Sequence, residues 1–357
     1  MGEVPDTMRA VVLHAPGELV VAEVAVPECL PGQILTRVGA CGICGSDLRY
    51  LAGENPWAKH TLGEETPNPP DMILGHEIGA TLVTDAERRV GLMAFKTCGK
   101  CRYCRTGRSN LCPNTAHLGH GAGWEGQNPG GMAEYCPVWE THLFDLPDHI
   151  SLEEATFLDG LGVAVNAVNR TEIFPGSHVA VLGAGPIGLS IAQVAKARGA
   201  GVVAVTDVYE APVRCAEELG LGPCLNVSVM DEAATREALM DAAGGQKYVA
   251  VFDTTGSAQV QQVALKCLDR GGTLVAMAGV TAGLRLDESS LAGERRLTTC
   301  SNNFAEDYQE GLELLAGGVV TVRPMITHRF PLAEARNAFD TARRKHETGA
   351  IKVILLP

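Results

Sequence analysis

The chain has 357 residues, of which 46% are hydrophobic and 20% charged, enough for about two domains with cores of their own. Its 41 glycines and 19 prolines stay below the share of roughly a quarter that marks low-complexity disorder. Forty-two acidic against 29 basic residues give a formal net charge of -13, which repels phosphate backbones and anionic lipid and argues against a nucleic-acid or membrane partner.

In chain order, residues 1–160 read as short strands broken by Gly and Pro, at Met8 to His14, Leu19 to Val24 and Gln33 to Val38, the rhythm of a small irregular β domain. Polar loops interrupt it at Ala52 to Pro70 and Ala116 to Gly131. From Ser177 the pattern alternates: a strand His178 to Leu182, a helix Pro186 to Arg198, a strand Val202 to Thr206 and a helix Ala211 to Leu219. Tyr248 to Asp253, Val260 to Leu268 and Thr273 to Gly279 continue it. Such alternation gives a doubly wound parallel sheet with helices on both faces, expected over residues 161–295. Residues 296–357 are expected to return to the first domain through a strand Ile351 to Leu356. The fold class is α/β. No apolar run approaches the roughly 18 residues that cross a bilayer, and the opening residues lack a basic stretch leading into an apolar core. A cytoplasmic protein is expected.

The first chemical motif is Gly183-Ala-Gly185-Pro186-Ile187-Gly188, set between an apolar strand and an amphipathic helix. Gly183 allows the tight turn, Gly185 lets the backbone approach a pyrophosphate, and Gly188 lets the helix pack on the strand, with Pro186 and Ile187 inside the same cofactor-binding turn. The helix N-terminus then faces the phosphates. Asp207 ends the next strand, where a carboxylate can accept hydrogen bonds from a ribose and repel a 2′-phosphate. Val208, Tyr209 and Glu210 offer no compensating cation, so NAD is expected rather than NADP.

Twelve cysteines are too few for a disulfide scaffold, and four of them crowd together as Cys98-Gly-Lys-Cys101-Arg-Tyr-Cys104 and Cys112. Four thiolates on one lobe, residues 96–113, suffice for a closed, structural tetrahedral zinc site. Cys112-Pro113 invites comparison with a ferredoxin iron-sulfur run, but the spacing to the last cysteine there is shorter.

Cys44-Gly45-Ser46-Asp47, Gly75-His76-Glu77 and Asp159-Gly160 are each unremarkable alone. In order with the cysteine lobe, Gly130 to Tyr135, the glycine fingerprint and Ile351-Lys352-Val353, they resemble the zinc-containing medium-chain dehydrogenases over nearly the whole chain, most of all the sorbitol, threonine, polyol and aminocyclitol branches. The resemblance implies a GroES-like catalytic domain, a Rossmann domain and a homo-oligomer, dimer or tetramer. It implies two zincs per chain, the catalytic one held by Cys44 and His76 with Asp159 or Glu77 as the carboxylate. Ser46 would accept the proton of a secondary alcohol oxidised reversibly to a ketone. A threonine-type amino-acid dehydrogenase and a non-catalytic zinc-stabilised binding protein of the same fold are the alternatives.

Three departures stand out: Arg49 where the family often has a proton-carrying His, Asp159-Gly160 where it usually has an acid followed by Pro, and a compressed stretch from Thr81 to Gly91. Tyr50, Trp57, His120 and Trp124 are the expected substrate residues. Flat apolar faces mixed with hydrogen-bonding groups suit a polar small-molecule alcohol, a polyol, sugar, cyclitol or aminocyclitol, better than a simple alkanol.

Overall fold

A computed structural model describes residues 4–121, 128–278 and 283–357. The chain divides into two compact units, Met1–Asp159 with Asn303–Leu312 and Ile326–Pro357, and Gly160–Asn302 with Glu313–Met325.

The first unit is built on antiparallel strands. Thr7–Ala15 turns through Gly17, at φ 81°, and pairs with Glu18–Ala25. Because side chains alternate along a strand, Met8, Ala10 and Val12 pack with Ala133 and Tyr135, whereas Val11 and Leu13 enter the main core with Val38, Ile78, Leu92 and Val353. That core lies against a second sheet whose central strand is Gln33–Gly42. Its C-terminal end decides where the chemistry sits: Gly42 stands opposite Glu77 of the strand Glu77–Leu82 and opposite Ile354 of the strand Lys352–Leu356. Three segments distant in sequence thereby bring Cys44, His76 and Lys352 to one sheet corner. A Cβ on Gly42 would lie 2.4 Å from Glu77 Oε2, so only glycine fits there.

The second unit holds a six-stranded, wholly parallel sheet in the order Cys224–Asn226, Val202–Asp207, His178–Leu182, Tyr248–Asp253, Leu268–Ala276, Arg296–Thr299. Numbered along the unit this is 3-2-1-4-5-6, the Rossmann order. Its inner strands are apolar and covered by helices, including Pro186–Ala197 and Ala258–Cys267, as a parallel sheet requires.

The division differs from the expected one after residue 295. Arg296–Thr299 is the sixth strand of the parallel sheet, and Glu313–Met325 also belongs to the second unit, so the return to the first unit comes in two pieces, Asn303–Leu312 and Ile326–Pro357. The reason is compositional: Arg296–Thr299 is an edge strand with exposed ends and lacks the apolar run by which its neighbours announce themselves. Among the described residues, no helix is long and apolar enough to cross a membrane.

Candidate active site

The cysteine lobe folds back on itself. Cys101 caps the short helix Arg102–Arg105, and the donor atoms of Cys98, Cys101, Cys104 and Cys112 all lie within 4.8 Å of one another. Sulfur separations are 3.5 Å for Cys101 and Cys104, 3.5 Å for Cys98 and Cys112, and 3.8 Å for Cys101 and Cys112. Zinc-sulfur bonds of about 2.3 Å give a tetrahedron with edges of about 3.8 Å, whereas a disulfide would need about 2.05 Å. Backbone N–H groups of Lys100 and Cys101 bring the Cys98 thiol down to about 6. The residues fit a closed zinc site.

A second donor group comprises Cys44, His76 and Glu77, again within 4.8 Å. Cys44 is the N-cap of the helix Gly45–Leu51, and Asp47 one turn on accepts its N–H at 2.8 Å. Gly75, at φ 96°, turns the chain into His76, and a Cβ there would strike Cys41 Sγ at 2.6 Å. Asp47 is fully buried, with Oδ1 3.9 Å from His76 Nδ1. Both atoms lack a nearer partner, so the carboxylate backs the ring and leaves Nε2 to the donor group, as carboxylates do behind metal-bound imidazoles.

The electrostatics call for a cation. Burial alone would lower the His76 imidazole, but the Cys44 sulfur and the Asp47 and Asp159 carboxylates overcome it and raise it to about 10. Burial lifts Asp47 to about 6 against the pull of His76. The surplus of negative groups around a buried imidazole fits Zn²⁺.

Glu77 sits in the donor group, yet its Oε2 also contacts the buried ammonium of Lys352. Asp159, in the first turn of the helix Leu158–Val168, accepts from Asn303 Nδ2 at 3.3 Å and falls outside the 4.8 Å group. Of the two carboxylates expected from the sequence, the nearer is therefore Glu77. Ser46 follows Cys44 in the same helical turn, and its Oγ is buried without a partner.

Around His76 lies a stack of rings: His117 and His120 are face to face with centroids 3.6 Å apart, His120 is 4.7 Å from His76 and 5.1 Å from Tyr50. Burial and His76 hold His117 down at about 3, and burial with His117 holds His120 well below the usual imidazole range. Trp57 bonds Tyr50 through its backbone and lines a cavity of about 580 Å³ with Lys96, Thr97 and Cys98, a cavity that includes none of Cys44, His76 or Glu77. Trp124 falls outside the described residues. Arg49 gives Nε and Nη2 to Glu54 and Nη1 to His60. Sequence reasoning assigned no role to Asp47, Lys352 or Asn303. The one available signal was a lysine inside an apolar terminal strand, which needs a buried partner.

In the second unit Gly183 has φ 104°, and a Cβ on it would meet Thr254 Oγ1 at 2.3 Å. A Cβ on Gly188 would lie 1.9 Å from the Gly183 carbonyl oxygen. Gly185 caps Pro186–Ala197 without a side-chain acceptor, leaving the first N–H groups, that of Ile187 among them, for an anion. Asp207 accepts from Ala184 N–H at 2.8 Å and from Tyr209 N–H at 2.9 Å. It therefore braces the glycine turn, a role the ribose argument did not include.

Residues 30–148 match the alcohol dehydrogenase GroES-like domain, and residues 186–317 match the zinc-binding dehydrogenase domain. The chain is 29% identical to sorbitol dehydrogenase of Bacillus subtilis, over 99% of this chain and 98% of that protein. It is 30% identical to D-arabitol-phosphate dehydrogenase of Enterococcus avium, over 98% and 97%. Its fold matches a Sinorhizobium meliloti structure assigned as a zinc-binding dehydrogenase and bound to NADP, with TM-score 0.85, 27% identity, and coverage of 99% and 100%.

Proposed function

From the premise that the chain belongs to the zinc-containing medium-chain dehydrogenase family and is an oxidoreductase of the alcohol and polyol type, we propose that it is a cytoplasmic, zinc-dependent, NAD-linked dehydrogenase. Its substrate on this reading is a secondary hydroxyl of a polyol, sugar, cyclitol or aminocyclitol, oxidised reversibly to a ketone. The observation that carries the reading is the buried Ser46 Oγ, without a partner among the described residues and in the same helical turn as Cys44 of the Cys44, His76 and Glu77 donor group.

Cys44, His76 and Glu77 would hold a zinc, which would supply a Lewis acid that lowers the pKa of an alcohol hydroxyl. Ser46 Oγ would accept that hydroxyl proton while releasing its own toward solvent, so that the serine remains neutral. Asp47 orients His76 and Cys44, and Lys352 offsets part of the Glu77 charge, so that the donor set is not excessively anionic. The nicotinamide cofactor supplies the hydride acceptor. The amides after Gly185 would hold its pyrophosphate, and Asp207 would accept from the adenosine ribose. Four thiolates at Cys98, Cys101, Cys104 and Cys112 would take a second, structural zinc, and such a thiolate cluster suits the reducing cytoplasm.

The test is cofactor reduction, followed by absorbance, over a panel of polyols, cyclitols, amino acids and simple alkanols with NAD and with NADP. Efficient turnover of a polyhydroxylated or amino-substituted alcohol with NAD is expected. Preference for ethanol, 2-propanol or threonine would overturn the substrate class, and equal efficiency with both cofactors would overturn the NAD assignment.

A further inference from the structure

The cavity of about 580 Å³ beside the cysteine lobe has walls formed by Trp57, Lys96, Thr97 and the segment from Pro113 to Ala116, and strand register fixes its place relative to the catalytic rings. In the ribbon of Phe95–Lys96 and Ala116–His117, Phe95 stands opposite His117 and Lys96 opposite Ala116. Successive side chains of a strand point to opposite faces. On one face the Phe95 and His117 rings stack with centroids 5.7 Å apart, and His117 lies 5.8 Å from His76. On the other face Lys96 and Ala116 border the cavity. The ribbon therefore separates this cavity from the Cys44, His76 and Glu77 donor group.

The polar groups that line it are uncommitted. Among the described residues Lys96 has no carboxylate within ion-pair distance, its Nζ lying 4.8 Å from the centre of the Trp139 ring, and neither the Thr97 hydroxyl nor the Asn114 amide has a hydrogen-bond partner. Pro113 and Asn114 are exposed and Trp57, Lys96 and Thr97 half-buried, so the cavity opens to solvent. Its surroundings are positive. Residues 96–113 carry five basic side chains and no acidic one, in a chain of formal net charge -13. Four thiolates around a Zn²⁺ would offset only part of that charge, and a cleft lined by one sign of charge concentrates ligands of the other.

An ammonium, a hydroxyl and a carboxamide N–H all donate, and no carboxylate lines the cavity to receive a donor or a cation. The complementary group only accepts, which makes it an anion. Donors on three separate side chains suit a tetrahedral oxyanion better than a planar carboxylate, which the fork of an arginine fits. The volume falls within the range of small-molecule sites, about 300–1,000 Å³, and leaves space beyond one phosphate, with Trp57 and Pro113 supplying apolar surface for the rest of the ligand. We infer that this cavity is a second small-molecule site that takes a phosphate monoester, its phosphate among Lys96, Thr97 and Asn114 and its organic body against Trp57. The site goes beyond the dehydrogenase reading and does not depend on it.

The test is titration calorimetry of the zinc-loaded full chain without NAD, in a buffer free of phosphate and sulfate. Phenyl phosphate and glucose 6-phosphate are the probes, and phenol, glucose and inorganic phosphate the controls. Both esters are expected to bind saturably, more weakly as salt is raised, and phenol and glucose are not. Lys96→Met keeps the stem, removes the charge and should weaken both esters about tenfold or more, whereas Lys96→Arg should keep most of the affinity. Asn114→Ala alters an exposed side chain and should weaken them too, which covers the case in which Lys96→Met disturbs the Trp139 contact. Trp57→Ala should weaken phenyl phosphate and leave inorganic phosphate unchanged. NAD affinity and zinc content, expected to be unaltered, report that each variant is folded. Absence of ester binding, or an affinity unchanged in both Lys96→Met and Asn114→Ala, overturns the site. Binding lost in Cys44→Ser and kept in Lys96→Met would put the phosphate at the catalytic donor group and also overturn it. Inorganic phosphate bound as tightly as either ester would overturn the monoester assignment.

Discussion

Ser46, Arg49 and Lys352 separate chemistry from support. Ser46 Oγ has no partner among the described residues and on the proposed reading accepts the alcohol proton, so Ser46→Ala is expected to lower turnover by about 10²- to 10⁴-fold with zinc content and NAD affinity kept, as read by steady-state kinetics beside a binding titration. Arg49 cannot deprotonate usefully, and its guanidinium is already committed to Glu54 and His60. Arg49→Ala should therefore lose much less of the chemical step, and an equal collapse with cofactor binding intact would give the arginine a catalytic role. Lys352 is 2% exposed and paired with Glu77, itself 3% exposed. Removing one member of a buried pair strands the other, so Lys352→Met should cost about 3–5 kcal/mol in urea unfolding, and adding Glu77→Gln should recover part of it. The donor residues Cys44 and His76 were legible because their motifs are local. The Lys352 pairing was not, because its partner lies 275 positions away and only the sheet register brings them together.

The glycine turn between His178–Leu182 and Pro186–Ala197 is the element whose geometry was most legible. An apolar strand buried on both faces followed by glycines at fixed spacing leaves few alternatives, and the strands His178–Leu182 and Tyr248–Asp253 fall where the sequence predicts them. Gly188→Ala would force a Cβ to 1.9 Å from the Gly183 carbonyl oxygen, so the turn must open, and NAD affinity measured by fluorescence quenching should fall at least tenfold while zinc content stays unchanged. Asp207 was legible as a ribose acceptor but not as a brace, because its bonds to Ala184 and Tyr209 N–H depend on the turn's closed shape. Asp207→Ser should narrow the NAD preference by removing repulsion toward a 2′-phosphate, and should also weaken NAD binding outright because the turn loses its acceptor. A variant that gains NADP activity with NAD affinity undiminished would contradict the bracing role. The edge strand Arg296–Thr299 escaped sequence reading for the opposite reason, having no apolar run to mark it.

At the scale of the whole molecule, the first unit carries two donor groups of different character. Four thiolates would leave a zinc no open position, whereas Cys44, His76 and a carboxylate would leave one, so on the proposed two-zinc reading the metals should exchange at different rates. The α/β class and the order of motifs were readable from sequence because each rests on short-range pattern. The choice between Glu77 and Asp159 was not, since it depends on how far each carboxylate stands from Cys44 and His76 once the sheet corner has formed. The most direct test is turnover measured against zinc content, by elemental analysis of protein partly stripped with a chelator and then titrated with zinc. Two zincs per chain are expected at full loading, with activity lost when the more labile one leaves, while the other stays, and restored in proportion to its return. Full turnover with a single zinc per chain, or activity that follows loss of the tightly held metal alone, would contradict the assignment of Cys44, His76 and Glu77 as the catalytic centre.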